Sequence, residues 1–164
     1  MMTLVPRALA FATAAHGSQV RKYTGEPYIN HAKRVAAALE AIGAPDFVVA
    51  AGLLHDVLED TPVTASAMRA AFGSAVTDLV LQVTDVSTPA DGNRAARKAL
   101  DLAHLAKASA WGQTIKLADI ADNGKDIEAH DPKFAKVWLG EKKALLAVLT
   151  KGNAELYAKA SACL

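Results

Sequence analysis

The chemistry-bearing feature of this chain is a set of four polar residues at the end of an apolar run. Residues 50–60 read AAGLLHDVLED, so His55, Asp56, Glu59 and Asp60 follow directly on Ala50, Ala51, Gly52, Leu53 and Leu54. On a helix, spacings of three and four place these residues on one side of about one and a half turns. Carboxylates crowded against an apolar segment repel one another and are costly to bury unpaired. A divalent cation relieves both costs, and imidazole mixed with carboxylate suits a borderline-hard ion such as Mn²⁺ better than a thiolate-bound zinc does. The plain alternative is a satisfied histidine followed by a solvated acidic helix end. Acidic groups there oppose the helix dipole, which counts against it.

Two other stretches supply the same kind of side chain. PYINHAKRVA puts His31 in the first turn of a helix beside Ile29, and TIKLADIADNGKD puts Asp119 and Asn123 four apart on a helix that is otherwise apolar there. Taken singly, each reads as a half-buried histidine or a cap pair. Three helices each offering ligand-type residues from apolar surroundings are less easily dismissed as coincidence.

Those helices are legible from apolar spacing. Leu4 to Ala15 forms a first helix, and GSQVRKYTGEPY is a loop punctuated by Gly17, Gly25 and Pro27. A second helix runs from near Tyr28 to Gly43, with Ile29, Val35, Ala36 and Leu39 in register. APDFVVAAGLLHDVLED reads as one buried third helix, with Asp46 as N-cap and Pro62 barring continuation. TASAMRAAFG, stopped at Gly73, and SAVTDLVLQVTD are helices, then VSTPADGN is a loop. RAARKALDLAHLAKAS, WGQTIKLADIADNGKDIEAH, the amphipathic DPKFAKVWLGEKKALLAVLTKG and the closing NAELYAKASACL complete an all-α chain. The stretch from Ile29-Asn30 to Val35-Ala36 and TDLVLQVTD are the patches that could pass for strands, but their neighbours favour helix.

Composition agrees. The 164 residues are 52% hydrophobic and only 5% aromatic, which favours closely packed Ala-rich helices in one domain, 1–164. Eighteen basic residues against 17 acidic ones argue against a nucleic-acid or anionic-membrane partner. No apolar run approaches the ~20 residues of a membrane span. The N-terminal segment reads as a helix, not a signal peptide. A single cysteine, Cys163, fits a cytoplasmic location and excludes a disulfide framework within the chain.

The order His31, His55-Asp56, Asp119 resembles the HD superfamily of metal-dependent phosphohydrolases. The flanking words HGSQVRK, GEPYINHAKRVA, LLHDVLEDT, AFGSAVTDLVLQVTD and IKLADIADN, spread over 11–123, narrow it to the hydrolase domain of the RelA/SpoT-homologue family, in the manner of its small stand-alone alarmone hydrolases. That resemblance implies an all-α HD-domain bundle with the metal between helices and residues 124–164 packed on the same core. It implies His31, His55, Asp56 and Asp119 as Mn²⁺ ligands, with Glu59 and Asp60 as catalytic carboxylates beside the water. Arg21 and Lys22 match the family's nucleotide-pocket pair, and Asn123 a residue near the bound water or ribose. Arg94, Arg97 and Lys98 lie where the family keeps phosphate-facing cations, and His16 matches a pocket-wall position. The implied reaction removes the 3′-diphosphate of the guanosine polyphosphate (p)ppGpp, leaving GDP or GTP and pyrophosphate.

One departure is Lys125, where the family commonly has arginine. Lysine keeps the charge but loses bidentate phosphate geometry. Alternatives are a phosphohydrolase of another nucleotide, for example an NADPH phosphatase or a nucleotidase, and a non-catalytic HD binding or regulatory module. Retention of the Glu59-Asp60 pair argues against the module. The amphipathic stretch Phe134 to Leu149 reads as core, with a homodimer interface as its alternative.

Overall fold

The computed structural model describes residues 1–164, except for the side chain of Glu128. It is all-α, and among the described residues the only β feature is an isolated antiparallel bridge between Val20 and Pro27. The chain divides into two compact units, 1–84 and 85–164.

The first unit contains α1 (Leu4–His16), α2 (Ile29–Ala41), α3 (Asp46–Leu54), α4 (Val57–Asp60) and α5 (Ala65–Val83). At its centre is α3, packed on α1, α2 and α5. Every residue from Val48 to Leu54 is buried, because the run has no polar face to present to water. Gly52 permits the close approach of α2: a Cβ there would lie 2.4 Å from Leu39 Cδ1 and 3.6 Å from Val35 Cγ1. His31 shares the i, i+4, i+8 stripe with Val35 and Leu39, and all three are fully buried. The stripe that anchors α2 to α3 therefore also aims His31 toward the end of α3.

In the second unit a 3₁₀ turn (Pro89–Asp91) precedes α6 (Arg94–Ala106), α7 (Ala110–His130), α8 (Pro132–Val148) and α9 (Ala154–Ser161). Helix α7 packs on α8 and α9, and α6 packs on α8. Asn93, Ser109, Asp131 and Asn153 cap the four helices, each side chain accepting a backbone N–H three residues on. Buried Gln113 and Thr114 of α7 accept from the backbone N–H groups of Lys151 and Asn153, tying the turn before α9 to α7.

Two local expectations change. The expected third helix breaks: α3 ends at Leu54, and Asp56, at φ −101° and ψ −2°, separates it from α4. Asp46 is the first helical residue and not the cap; Pro45 occupies that position and makes no side-chain bond. The expected stop at Gly73 is observed: at φ +79° and ψ 178° it separates two helical segments across a kink within α5.

Candidate active site

In the first unit, the break at Asp56 brings together what a straight helix would splay apart. His31 and His55 are 0% and 3% exposed, and their Nε2 atoms are 3.3 Å apart. Asp56 Oδ2 lies 3.0 Å from His55 Nε2 and 3.7 Å from His31 Nε2. One ligand atom from each of the three residues falls within a 4.8 Å cluster. His55 Nδ1 donates to the Gly52 carbonyl at 2.7 Å, which leaves Nε2 with its lone pair directed at His31 and Asp56. Converging nitrogen and carboxylate lone pairs in a buried pocket are the donor set of a divalent cation, so the residues fit one.

A second layer holds this set. Tyr28 Oη donates to Asp56 Oδ2 at 2.5 Å, a short charge-assisted bond. The Tyr28 ring lies against the rings of His16, at 4.8 Å, and His31, at 5.7 Å. Buried His16 directs Nδ1 at Gln19 Oε1 at 3.0 Å, and Gln19 Nε2 reaches Asp60 Oδ2 at 3.4 Å. His16 is thus joined to the cluster through the Tyr28 ring, while nothing in the spacing of Tyr28 or Gln19 marked them. The only signal for Tyr28 was its position three residues before His31 at a helix start.

Glu59 and Asp60 lie together on α4 at the surface. Partial desolvation, then the negative charge of Asp56, raises the Asp60 carboxyl above the ordinary aspartate range; bonds from Gln19 and Tyr28 oppose this. Arg21 lies over the Tyr28 ring at 5.7 Å, beside the cluster, and the Lys22 ammonium lies over Tyr23 at 5.0 Å.

In the second unit, Asp119 is buried on α7 and accepts from Lys116 Nζ at 2.8 Å and from Asn123 Nδ2 at 2.7 Å. Lysine three residues before Asp119 and asparagine four after it lie on one helix face. Arg94 makes a bidentate pair with Glu141, at 2.6 and 3.0 Å, and lies over Phe134. Its guanidinium is thus committed within the unit. Arg97 has a buried Nε with no partner among the described residues, and Lys125 is exposed. Lys98 pairs with Asp85 at 3.4 Å.

This fold and donor set define a class, and comparison agrees: the HD domain family model matches residues 8–134, and the chain belongs to that family. Among its relatives is the guanosine-3′,5′-bis(diphosphate) 3′-pyrophosphohydrolase MESH1 of Drosophila melanogaster, 38% identical over 127 residues, which are 76% of this chain and 69% of that protein. A probable guanosine-3′,5′-bis(diphosphate) 3′-pyrophosphohydrolase of Mycoplasma pneumoniae is 34% identical over 97% of this chain but only 21% of its own length. The chain thus spans about a fifth of the longer relatives. A solved structure described as a metazoan ortholog of SpoT that hydrolyzes ppGpp superposes with a TM-score of 0.87 at 30% identity, covering 99% of this chain and 94% of that one. The expected resemblance to RelA/SpoT-homologue hydrolases is borne out by these relatives, as is the all-α HD-domain fold. Among the described residues no helix is long and apolar enough to cross a membrane.

Proposed function

We propose that this chain is a Mn²⁺-dependent (p)ppGpp 3′-pyrophosphohydrolase acting in the cytoplasm, with residues 1–164 as one HD domain. The observation that carries the reading is the buried His31–His55–Asp56 cluster, whose lone pairs converge. The names of the relatives supply the substrate class.

In this reading His31, His55, Asp56 and Asp119 hold the cation. When bound, a divalent cation acidifies its water and offsets charge on phosphoryl oxygens. Glu59 orients the attacking water and accepts its proton. Asp60, whose carboxyl is raised above the ordinary aspartate range by partial desolvation and then by Asp56, relays that proton toward the leaving oxygen. The P–O bond to the ribose 3′ oxygen is exchanged for a bond to the water oxygen, so GDP or GTP leaves with a free 3′ hydroxyl and pyrophosphate is released. Tyr28 holds Asp56 in place through its hydroxyl. Arg21 and Lys22 face the guanine side of the nucleotide, Asn123 steadies Asp119, and Arg97 and Lys125 supply charge for phosphates. Arg94 belongs to this set by sequence, but its bidentate bond to Glu141 would have to open for it to reach a phosphate.

The test is to incubate the protein with Mn²⁺ and, separately, ppGpp, GTP and NADPH, and to identify the products. Pyrophosphate released from ppGpp is the expected result. Phosphate released from NADPH instead would overturn the substrate assignment. Glu59→Gln should retain Mn²⁺ binding and lose about 10²-fold or more in turnover, the usual scale of general-base catalysis. Full activity in that variant would overturn the role given to Glu59.

A further inference from the structure

One buried polar group of the first unit is not used by the reaction proposed above. His16, the last residue of α1, is 5% exposed, and its Nε2 is buried with no hydrogen-bond partner among the described residues. The ring is held on two sides. It lies against the Tyr28 ring, with centroids 4.8 Å apart, and its Nδ1 meets Gln19 Oε1 at 3.0 Å. Gln19 is held as well. Gly17, at φ +52°, turns the chain back at the end of α1, a conformation that glycine adopts without steric cost. The Gln19 N–H then donates to the His16 carbonyl at 3.0 Å, and the Gln19 carbonyl accepts from Tyr28 N at 2.9 Å. With its backbone tied at both groups, the Gln19 side chain spans from the His16 ring to Asp60, where Nε2 lies 3.4 Å from Oδ2.

A side-chain amide has one accepting end and one donating end, so these two contacts are not independent. An ionised carboxylate only accepts. Asp60 therefore requires the amide nitrogen of Gln19, which leaves Oε1 facing His16. Since Oε1 only accepts, the ring must carry its proton on Nδ1. The surroundings of the other ring nitrogen agree, because a proton on Nε2 would be a buried donor that nothing receives. The ring in turn fixes the amide. An Nε2–H tautomer would draw the amide nitrogen to Nδ1 and turn Oε1 against the Asp60 carboxylate, leaving two acceptors face to face. Partial desolvation, then the charge of Asp56, raise the Asp60 carboxyl, and the Gln19 bond is foremost among the contacts that oppose them, ahead of His16 and Tyr28.

We infer that His16 is a positioning residue for Asp60: its Nδ1 proton fixes the Gln19 amide so that the amide N–H, and not the carbonyl, faces the Asp60 carboxylate. The chain of donors runs one way, from Nδ1–H of His16 to Oε1 of Gln19 and from Nε2–H of Gln19 to Oδ2 of Asp60. It holds Asp60 as an acceptor ready for a proton. The use of this chain in turnover rests on the reaction proposed above, whereas its direction does not.

The direction is read in the metal-free protein by ¹⁵N NMR of the histidine rings, with the His16 signals assigned by their absence from His16→Asn. A single Nδ1–H tautomer is the expected result. In the same metal-free protein the ¹³C signal of the Asp60 carboxyl, assigned by its absence from Asp60→Asn, should move in Gln19→Met. Turnover of ppGpp with Mn²⁺ is then compared across variants. Gln19 is half-buried, so substitution there leaves the core intact. Gln19→Met removes both contacts, while Gln19→Glu still accepts from Nδ1–H but sets an anionic oxygen against Asp60. We expect kcat to fall about tenfold or more in Gln19→Met, the scale of one hydrogen bond to a charged group, and further in Gln19→Glu, with KM and Mn²⁺ affinity unchanged. His16→Asn, which keeps an N–H donor near the place of Nδ1, should recover most of the kcat that His16→Leu loses; Mn²⁺ affinity and circular dichroism identify a variant that fails to fold. An Nε2–H tautomer in the wild type overturns the inference. So does an unmoved Asp60 signal, wild-type kcat in either Gln19 variant, or a loss confined to KM. If the tautomer and the Asp60 signal behave as expected but the wild type releases no pyrophosphate from ppGpp, the proposed reaction fails and the link from His16 to Asp60 stands.

Discussion

Replacing Tyr28 by phenylalanine removes one hydroxyl and leaves the ring contacts with His16 and His31 in place. The hydroxyl donates to Asp56 Oδ2 at 2.5 Å, and that oxygen is the one 3.0 Å from His55 Nε2. A hydrogen bond to a charged acceptor contributes about 1.5–3 kcal/mol net. Without it the Asp56 carboxylate is free to rotate out of the arrangement that completes the donor set. Loss of such a supporting bond costs about 10–100-fold in metal affinity, which is about 1.4–2.7 kcal/mol, so the two scales agree. The assay is calorimetric titration of Mn²⁺ into metal-free wild type, Tyr28→Phe and a control, Tyr157→Phe. The control loses a hydrogen bond to the Leu146 carbonyl in the other unit. Tyr28→Phe should bind Mn²⁺ at least tenfold more weakly and the control should match wild type. Equal affinity in Tyr28→Phe would show that the hydroxyl does not position Asp56.

Gly52→Ala should destabilise the protein by about 1–3 kcal/mol in urea unfolding, as overpacking does, because the new methyl would lie 2.4 Å from Leu39 Cδ1 at a fully buried contact. Asp101, 4% exposed and accepting three hydrogen bonds, should cost about 2–4 kcal/mol when changed to alanine, since two backbone N–H groups lose their acceptor. Burial alone would raise the Asp101 carboxyl, but the bonds from Ser87 and Val86 and the charge of Lys98 outweigh it, and the carboxyl lies below the ordinary range. A depressed carboxyl contributes stability that is fully present above the unfolded-state value, near 3.9, and is lost as pH falls through the folded value. The gap between wild type and Asp101→Ala should therefore narrow below about pH 4, as urea unfolding at pH 7 and pH 3 would measure. A gap that widened toward acid would contradict the sign.

Much of the site is local information. His31 falls on the same i, i+4 stripe as Val35 and Leu39, so the period that makes α2 amphipathic also buries the histidine. The same holds for Asp119 among Ile115, Leu117, Ala118 and Ile120 on α7. TDLVLQV lies within α5, as its neighbours favoured. The cap lies one residue earlier than Asp46, at Pro45, a shift within the ordinary spread of helix ends, whereas the missed break after Leu54 has a cause in the sequence. Continuous apolar sequence carries no punctuation, and the backbone at Asp56 turns where packing requires it. The pairing of Arg94 was not legible because Glu141, its partner, is 47 residues away.

The sequence by itself determined the helical class, the order of the helices and the types of side chain available to a metal, since these depend on spacings of three and four residues. Tertiary structure alone decided which atoms meet. It brings the Nε2 atoms of His31 and His55 to 3.3 Å, reaches Tyr28 to Asp56 across 28 residues, and gathers Lys98, Lys116 and Lys142 around one cavity. Those distances depend on how helices cross and where a glycine lets them approach, which no local period encodes.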